Sequence, residues 1–165
     1  MKKILVGLFF TLSILATCWS LLHPTFFRVH DFVHAARIVE MLRGLNDGQF
    51  PVRWSANFGF GYGMPLYEFY APLPYFVGAG LMWLGMDVVT AIKILYIITA
   101  VGAWWGMYKL GSSLFGRASG ILAAVAFTLA PYRALNLYVR GALSESWAIM
   151  FFPWILFGLR MVGLF

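Results

Sequence analysis

Directly after Lys2 and Lys3, the chain runs from residue 4 to residue 22 without one charged side chain. At about 1.5 Å of rise per residue, a helix over that stretch nearly spans a hydrocarbon core roughly 30 Å thick. Similar apolar runs occupy residues 88–110, 118–135 and 147–165. The whole chain of 165 residues is 62% hydrophobic and 11% charged. An ordinary soluble domain is about 45–50% apolar and about 25% charged. A soluble globular domain is therefore excluded, and the expectation is a single all-α membrane domain. The net charge of +6 does not indicate nucleic acid, because the bases are scattered among apolar runs instead of forming a patch. Cys18 is the lone cysteine, which excludes an internal disulfide or a cysteine metal site.

Two lysines before the first run predict a cytoplasmic N-terminus, and hence a multi-pass protein of the cell (inner) membrane. Leu15-Ala16-Thr17-Cys18 has the outline of a lipoprotein cleavage box, but threonine is a poor residue before the cysteine. The run is read as a retained span. Residues 23–87 differ in character. They hold all three histidines and every acid except Glu145. Residues 31–43 predict a helix with Asp31 as N-cap and Gly44 as stop. Its stripe of Val33, Ala36, Val39 and Leu42 suggests a helix lying on the membrane surface. The segment Gly59-Phe60-Gly61-Tyr62-Gly63-Met64-Pro65 forbids a regular helix. It also lacks the spacing of a Walker or Rossmann phosphate loop.

The apolar piece at residues 72–86 reaches only about 22 Å as a helix, so it is read as re-entrant or interfacial, not as a span. With four spans (4–22, 88–110, 118–135 and 147–165), Lys109 and Arg117 fall in a short cytoplasmic turn. All six acids (Asp31, Glu40, Asp47, Glu68, Asp87 and Glu145) then lie outside. That sorting follows the preference of bases for cytoplasmic turns. Gly116, Gly120, Ala124 and Thr128 repeat at four-residue spacing and predict a close helix contact. The tryptophans read as interfacial belts.

Candidate chemistry lies in two outer loops. In the first, His30, Asp31 and His34 are spaced for a partial metal site, with helix capping as the plainer alternative. Glu68, beside Tyr67 in Tyr67-Glu68-Phe69-Tyr70, is an acid whose burial among rings would raise its pKa. In the second loop, at residues 136–146, Arg140 and Glu145 stand close to Arg133. Arginine grips phosphate oxygens bidentately, which suits a phosphorylated lipid headgroup. Generic anchoring to headgroups is the alternative.

The motifs His30-Asp31, Gly59-Phe60-Gly61-Tyr62-Gly63-Met64-Pro65-Leu66-Tyr67, Tyr70-Ala71-Pro72-Leu73-Pro74-Tyr75 and Tyr138-Val139-Arg140-Gly141-Ala142-Leu143-Ser144-Glu145 carry a resemblance. The chain resembles the N-terminal part of the GT-C superfamily of membrane glycosyltransferases. It is more closely similar to a bacterial membrane family labelled "6-pyruvoyl-tetrahydropterin synthase-related". Pterin chemistry is not expected, since no three-histidine zinc site is visible. The resemblance spans roughly residues 28–160 and implies a polyprenyl-phosphate-linked sugar and membrane lipid as partners. It implies Asp31 as catalytic base or metal ligand and Glu145 as a second acid of the site. Arg140 and Arg133 would hold the donor phosphate, with His30, Glu68 and Tyr67 orienting substrate. A single Glu145 where relatives carry an acidic pair makes a divalent metal compatible but not required. Because the chain stops inside an apolar run, the expectation is an N-terminal fragment of a longer enzyme. The competing expectation is a non-enzymatic membrane protein serving lipid binding, transport or assembly. A transporter, however, places polar groups near the bilayer midplane and often carries a repeat. Here only Lys93 lies well within a span, and no repeat is seen.

Overall fold

The computed structural model describes residues 2–164, and among them every regular element is helical. The helices are α1 (Lys2–Cys18), α2 (His34–Asn46), α3 (Leu66–Phe69), α4 (Leu73–Trp83) and α5 (Val88–Phe115), then α6 (Arg117–Thr128), α7 (Pro131–Leu135) and α8 (Leu143–Met161). Among the described residues, three stretches are long and apolar enough to cross a membrane: Ile4–Leu22, Val88–Phe115 and Arg117–Arg140. The chain divides into two compact units, residues 30–95 and the remainder.

In the first unit, α2 packs against α4, with Ile38, Met41, Tyr75 and Ala79 fully buried between them. The start of α2 differs from expectation. Its N-cap is Val33, and no side chain caps it. Asp31 lies ahead of the helix because its carboxylate is held elsewhere, by His34 and Arg37. Gly44 is no stop either, since α2 continues to Asn46. A Cβ at Gly44 would come within 2.5 Å of the Val52 side chain, so the glycine is there for close approach. The phase of α2 also differs. Its buried face is His34, Arg37, Ile38, Glu40, Met41 and Gly44, whereas Ala36 is exposed and Val33, Val39 and Leu42 are only partly covered. Polar residues are buried here because each finds partners.

Glu40 shows how. Its carboxylate accepts from Ser55 Oγ (2.8 Å), from the Asn57 amide nitrogens of backbone (3.1 Å) and side chain (2.8 Å), and from Arg43 Nη1 (2.9 Å). It thereby pins the loop that carries the glycine–aromatic run. That loop closes on itself by paired backbone bonds between Ser55 and Met64. The apolar piece 72–86 forms α4, an eleven-residue helix with Pro72 and Pro74 at its start. At about 1.5 Å per residue this is roughly half a hydrocarbon thickness.

Helix α5 runs to Phe115, five residues past the expected end at 110, so Lys109 lies within a helix and only Gly116 forms the turn. Asp87 starts α5, accepting from the backbone nitrogens of Val89 and Thr90 (3.0 Å each) and from Thr90 Oγ1 (2.5 Å).

In the second unit, Trp104 is fully buried, with Phe10 of α1 edge-on at 5.1 Å and Tyr108 stacked at 5.4 Å. The α5–α6 turn is tight: a Cβ on Gly120 would fall 2.8 Å from the Tyr108 carbonyl oxygen. Gly120, Ala124 and Thr128 are buried as the four-residue spacing predicts, while Gly116 is the exposed turn itself. The expected span 118–135 is not one helix. Pro131 has no N–H to donate and its ring obstructs the preceding turn. Accordingly α6 ends at Thr128, α7 restarts at Pro131, and a π-helical turn covers Asn136–Arg140. Only Gly141 and Ala142 separate that turn from α8, so the expected loop 136–146 is mostly helical. The expected fourth span 147–165 maps onto α8, which begins earlier, contains Pro153 and ends at Met161. Its last expected residue, 165, lies outside the described residues.

Burial acts to raise the Glu40 pKa, but the bonds from Asn57, Ser55 and Arg43 outweigh it and hold the group below its ordinary 4.5. A carboxylate held low stabilises the fold above its unfolded pKa and loses that contribution as pH falls through the folded value. Glu40→Ala leaves buried donors without an acceptor and should cost about 3 kcal/mol near neutral pH. In chemical denaturation monitored by tryptophan fluorescence, the gap from the unsubstituted protein should narrow once pH drops well below 4.5. A gap that does not change with pH contradicts this role.

Candidate functional site

Two polar clusters stand out, one in each unit. The first gathers on α2 and α4. Arg37, only 6% exposed, places Nη1 3.3 Å from Asp31 Oδ2 and 3.2 Å from the Tyr75 hydroxyl. The Tyr70 ring lies under its guanidinium, 3.8 Å from Cζ to centroid. Such a contact is worth about 2 kcal/mol when desolvated. Buried His34 completes the arrangement, with Nδ1 3.0 Å from the Tyr75 hydroxyl and Nε2 3.3 Å from Asp31 Oδ2. With the proton on Nε2, each hydrogen around the circuit faces an acceptor. Arg37 donates to Tyr75 and Asp31, Tyr75 donates to His34, and His34 points its proton at Asp31. Asp31 itself is about one third exposed (32%). The carboxylate is thus fixed on its inner side by a cation and an imidazole and is open on its outer side. Such a group can accept a proton from a hydroxyl brought to it, with His34 and Tyr75 holding its orientation.

The neighbours expected at this site are placed differently. His30 is exposed and lies outside the helix that His34 begins, so the two histidines do not share a helix face. Among the described residues, no three His, Cys, Asp or Glu side chains come together to hold a metal. Tyr67 is buried, and its hydroxyl donates to the Arg37 carbonyl at 2.5 Å. Burial pushes that phenol well above its ordinary pKa. Glu68 is not buried among rings as expected. It is about half exposed and pairs with Arg53 at 3.2 Å, because α3 turns its tyrosine inward and its acid outward.

The second cluster surrounds the π-helical turn. Arg140 Nη1 lies 2.7 Å from Glu145 Oε2, 3.1 Å from the Tyr132 hydroxyl and 2.7 Å from Asn136 Oδ1. Tyr132 also donates to Glu145 Oε1 at 2.5 Å. Tyr132 and Arg140 thus engage both carboxylate oxygens of Glu145. Glu145 sits in the first turn of α8, where the helix dipole favours a negative charge. The extra residue in the π turn carries Arg140 back over Tyr132 and Asn136, an insertion frequent at functional sites. Arg140 remains 42% exposed. Arg133 is different: it is 9% exposed and turned inward, donating to the Thr99 carbonyl at 3.3 Å.

Asp31 and the Arg140–Glu145 pair belong to different units. Sequence reasoning passed over Arg37, Tyr75, Tyr132 and Asn136. For Arg37 the signal was spacing, since His34, Arg37, Ile38 and Met41 form a helical stripe that mixes polar and apolar residues. Compared with protein-family models, curated proteins and solved structures, the chain matches none.

Tyr75 is a neutral group bonded to both His34 and Arg37. Tyr75→Phe should therefore lower stability by about 1–3 kcal/mol, the cost of leaving buried donors short of a partner. A thermal melt in detergent reads this. An unchanged melting temperature contradicts the closed circuit.

Proposed function

We propose that the chain is a GT-C-like module of a membrane glycosyltransferase, moving a sugar from a polyprenyl-phosphate donor to an acceptor hydroxyl at the outer membrane face. The observation that carries this reading is the Asp31 carboxylate, braced from within by His34 and Arg37 and open outward. In the proposed step Asp31 takes the proton of the acceptor hydroxyl as that oxygen attacks the anomeric carbon. The bond from that carbon to the donor phosphate oxygen breaks, and the phosphate departs with the electron pair. In the other unit, exposed Arg140 is proposed to bind a lipid phosphate, which arginine can grip bidentately. Glu145 holds Arg140 in place until phosphate takes the position.

The topology proposed with it has the N-terminus in the cytoplasm of an inner membrane. Helix α8 is the fourth span, beside the three stretches long enough to cross. In this reading α4 lies at the outer surface or dips into it, since its eleven residues fall short of a crossing. Arg117 then faces the cytoplasm, as bases prefer. Outward placement of the polar groups supports work on a lipid-borne substrate over transport.

Asp31→Asn keeps the size of the side chain and removes the base. In membranes supplied with polyprenyl-phosphate sugar donors, sugar transfer should fall by at least a hundredfold, the usual worth of a general base. Expression and membrane integration should be unchanged. Transfer at the original rate overturns the assignment.

A further inference from the structure

Two apolar grooves of the second unit flank the first turns of α1. One, of about 560 Å³, runs between α1 and α5, past Phe10, Trp105 and Tyr108. The other, of about 550 Å³, runs between α1 and α6, past Phe9, Ile121 and Val125. Val6 and Arg117 line both, so the grooves meet beside the turn that joins α5 to α6. Gly7 lines the first groove, and a Cβ there would meet no atom within 4 Å. From Arg117 to Val125, α6 advances about 12 Å. That is close to the hydrocarbon depth of one leaflet, roughly 15 Å.

Arg117 is exposed, and no ion pair among the described residues includes it. Other bases gather at the same end of the unit. Lys2 and Lys3 begin α1, and Lys109 lies near the end of α5. Arg160, in the last turn of α8, donates to the Ser113 carbonyl at 3.0 Å. No acid offsets them. The only acid of the unit, Glu145, lies in the first turn of α8, at the opposite end of that helix. Because α1, α5 and α6 belong to stretches able to cross a membrane, this basic end falls at a bilayer surface in either orientation. A basic pocket between such helices suits an anionic lipid headgroup. An apolar helix laid in the grooves would instead cover Arg117 with no counter-charge.

We propose that the two grooves hold one anionic phospholipid, its phosphate paired with Arg117 and one acyl chain lying in each groove. The chains cover apolar side chains of α1, α5 and α6, and the headgroup supplies the negative charge that this end of the unit lacks. A zwitterionic headgroup fits less well, because its cationic part meets the surrounding bases. The site stands apart from the Arg140–Glu145 cluster and depends on neither the activity nor the orientation proposed above.

Native mass spectrometry of the full chain in detergent tests this, with phosphatidylglycerol and phosphatidylcholine of identical acyl chains as probes. Phosphatidylglycerol should be retained about fivefold better, the worth of one base beside an anionic lipid. Arg117→Gln should reduce its retention to the level of phosphatidylcholine. Gly7→Phe leaves every charge in place and puts a ring into the first groove, so retention of phosphatidylglycerol should again fall severalfold. Both substitutions fall on exposed positions. Equal retention of the two lipids overturns the proposal, as does unchanged retention in either variant or a dimer that carries no lipid.

Discussion

The first unit depends on a guanidinium that is removed from water. Arg37 is buried on α2, and its Nη1 and ring-facing side are met by neighbours, while its Nε has no hydrogen-bond partner. Asp31, just ahead of the helix, supplies the counter-charge. Tyr75 of α4 takes one proton of Nη1, Tyr70 lies under the cation, and Tyr67 of α3 caps the Arg37 carbonyl. Burying a cation without such company costs several kcal/mol. The contacts therefore hold residue 31, α3 and α4 to α2 together. The same demand shapes Asp31, whose inner side is taken while its outer side stays open. A structural ion pair and a candidate catalytic base are thus one arrangement.

The second unit solves a different problem, packing helices that are apolar on all sides. Small residues let the helices approach: Gly120 sits against the end of α5, and Trp154 of α8 donates to the Gly102 carbonyl at 2.9 Å. Pro131 then breaks the long apolar stretch and produces two arginines with opposite fates. Arg133 turns into the bundle and Arg140 turns out over Tyr132. The π turn between them sets that difference, because it shifts the face on which Arg140 emerges.

The large features were legible in the sequence. Apolar runs announced the three stretches able to cross a membrane, and the short piece after Pro72 announced α4. The phase of α2 was not legible. His34, Arg37 and Glu40 count as polar in any periodicity, yet they are buried because Tyr75, Ser55 and Asn57, distant in sequence, satisfy them. The same long-range bonding displaced Asp31 from the capping role that its position suggested. Glu68 illustrates the converse: aromatic neighbours in sequence did not bury it, since α3 points Tyr67 inward and Glu68 toward Arg53. Of the site residues, Asp31, Arg140 and Glu145 were recognisable as types in loops. Their partners were not, because a partner is a property of the fold.

The central proposal is a membrane topology with positions 60 and 144 outside and position 118 in the cytoplasm. Site-directed labelling on a Cys18→Ala background measures this directly. Phe60→Cys, Ser144→Cys and Ala118→Cys would be treated in intact cells with a membrane-impermeant maleimide. The account predicts that positions 60 and 144 label from outside, and that position 118 labels only after permeabilisation. Positions 60 and 144 responding from opposite sides of the membrane would contradict it.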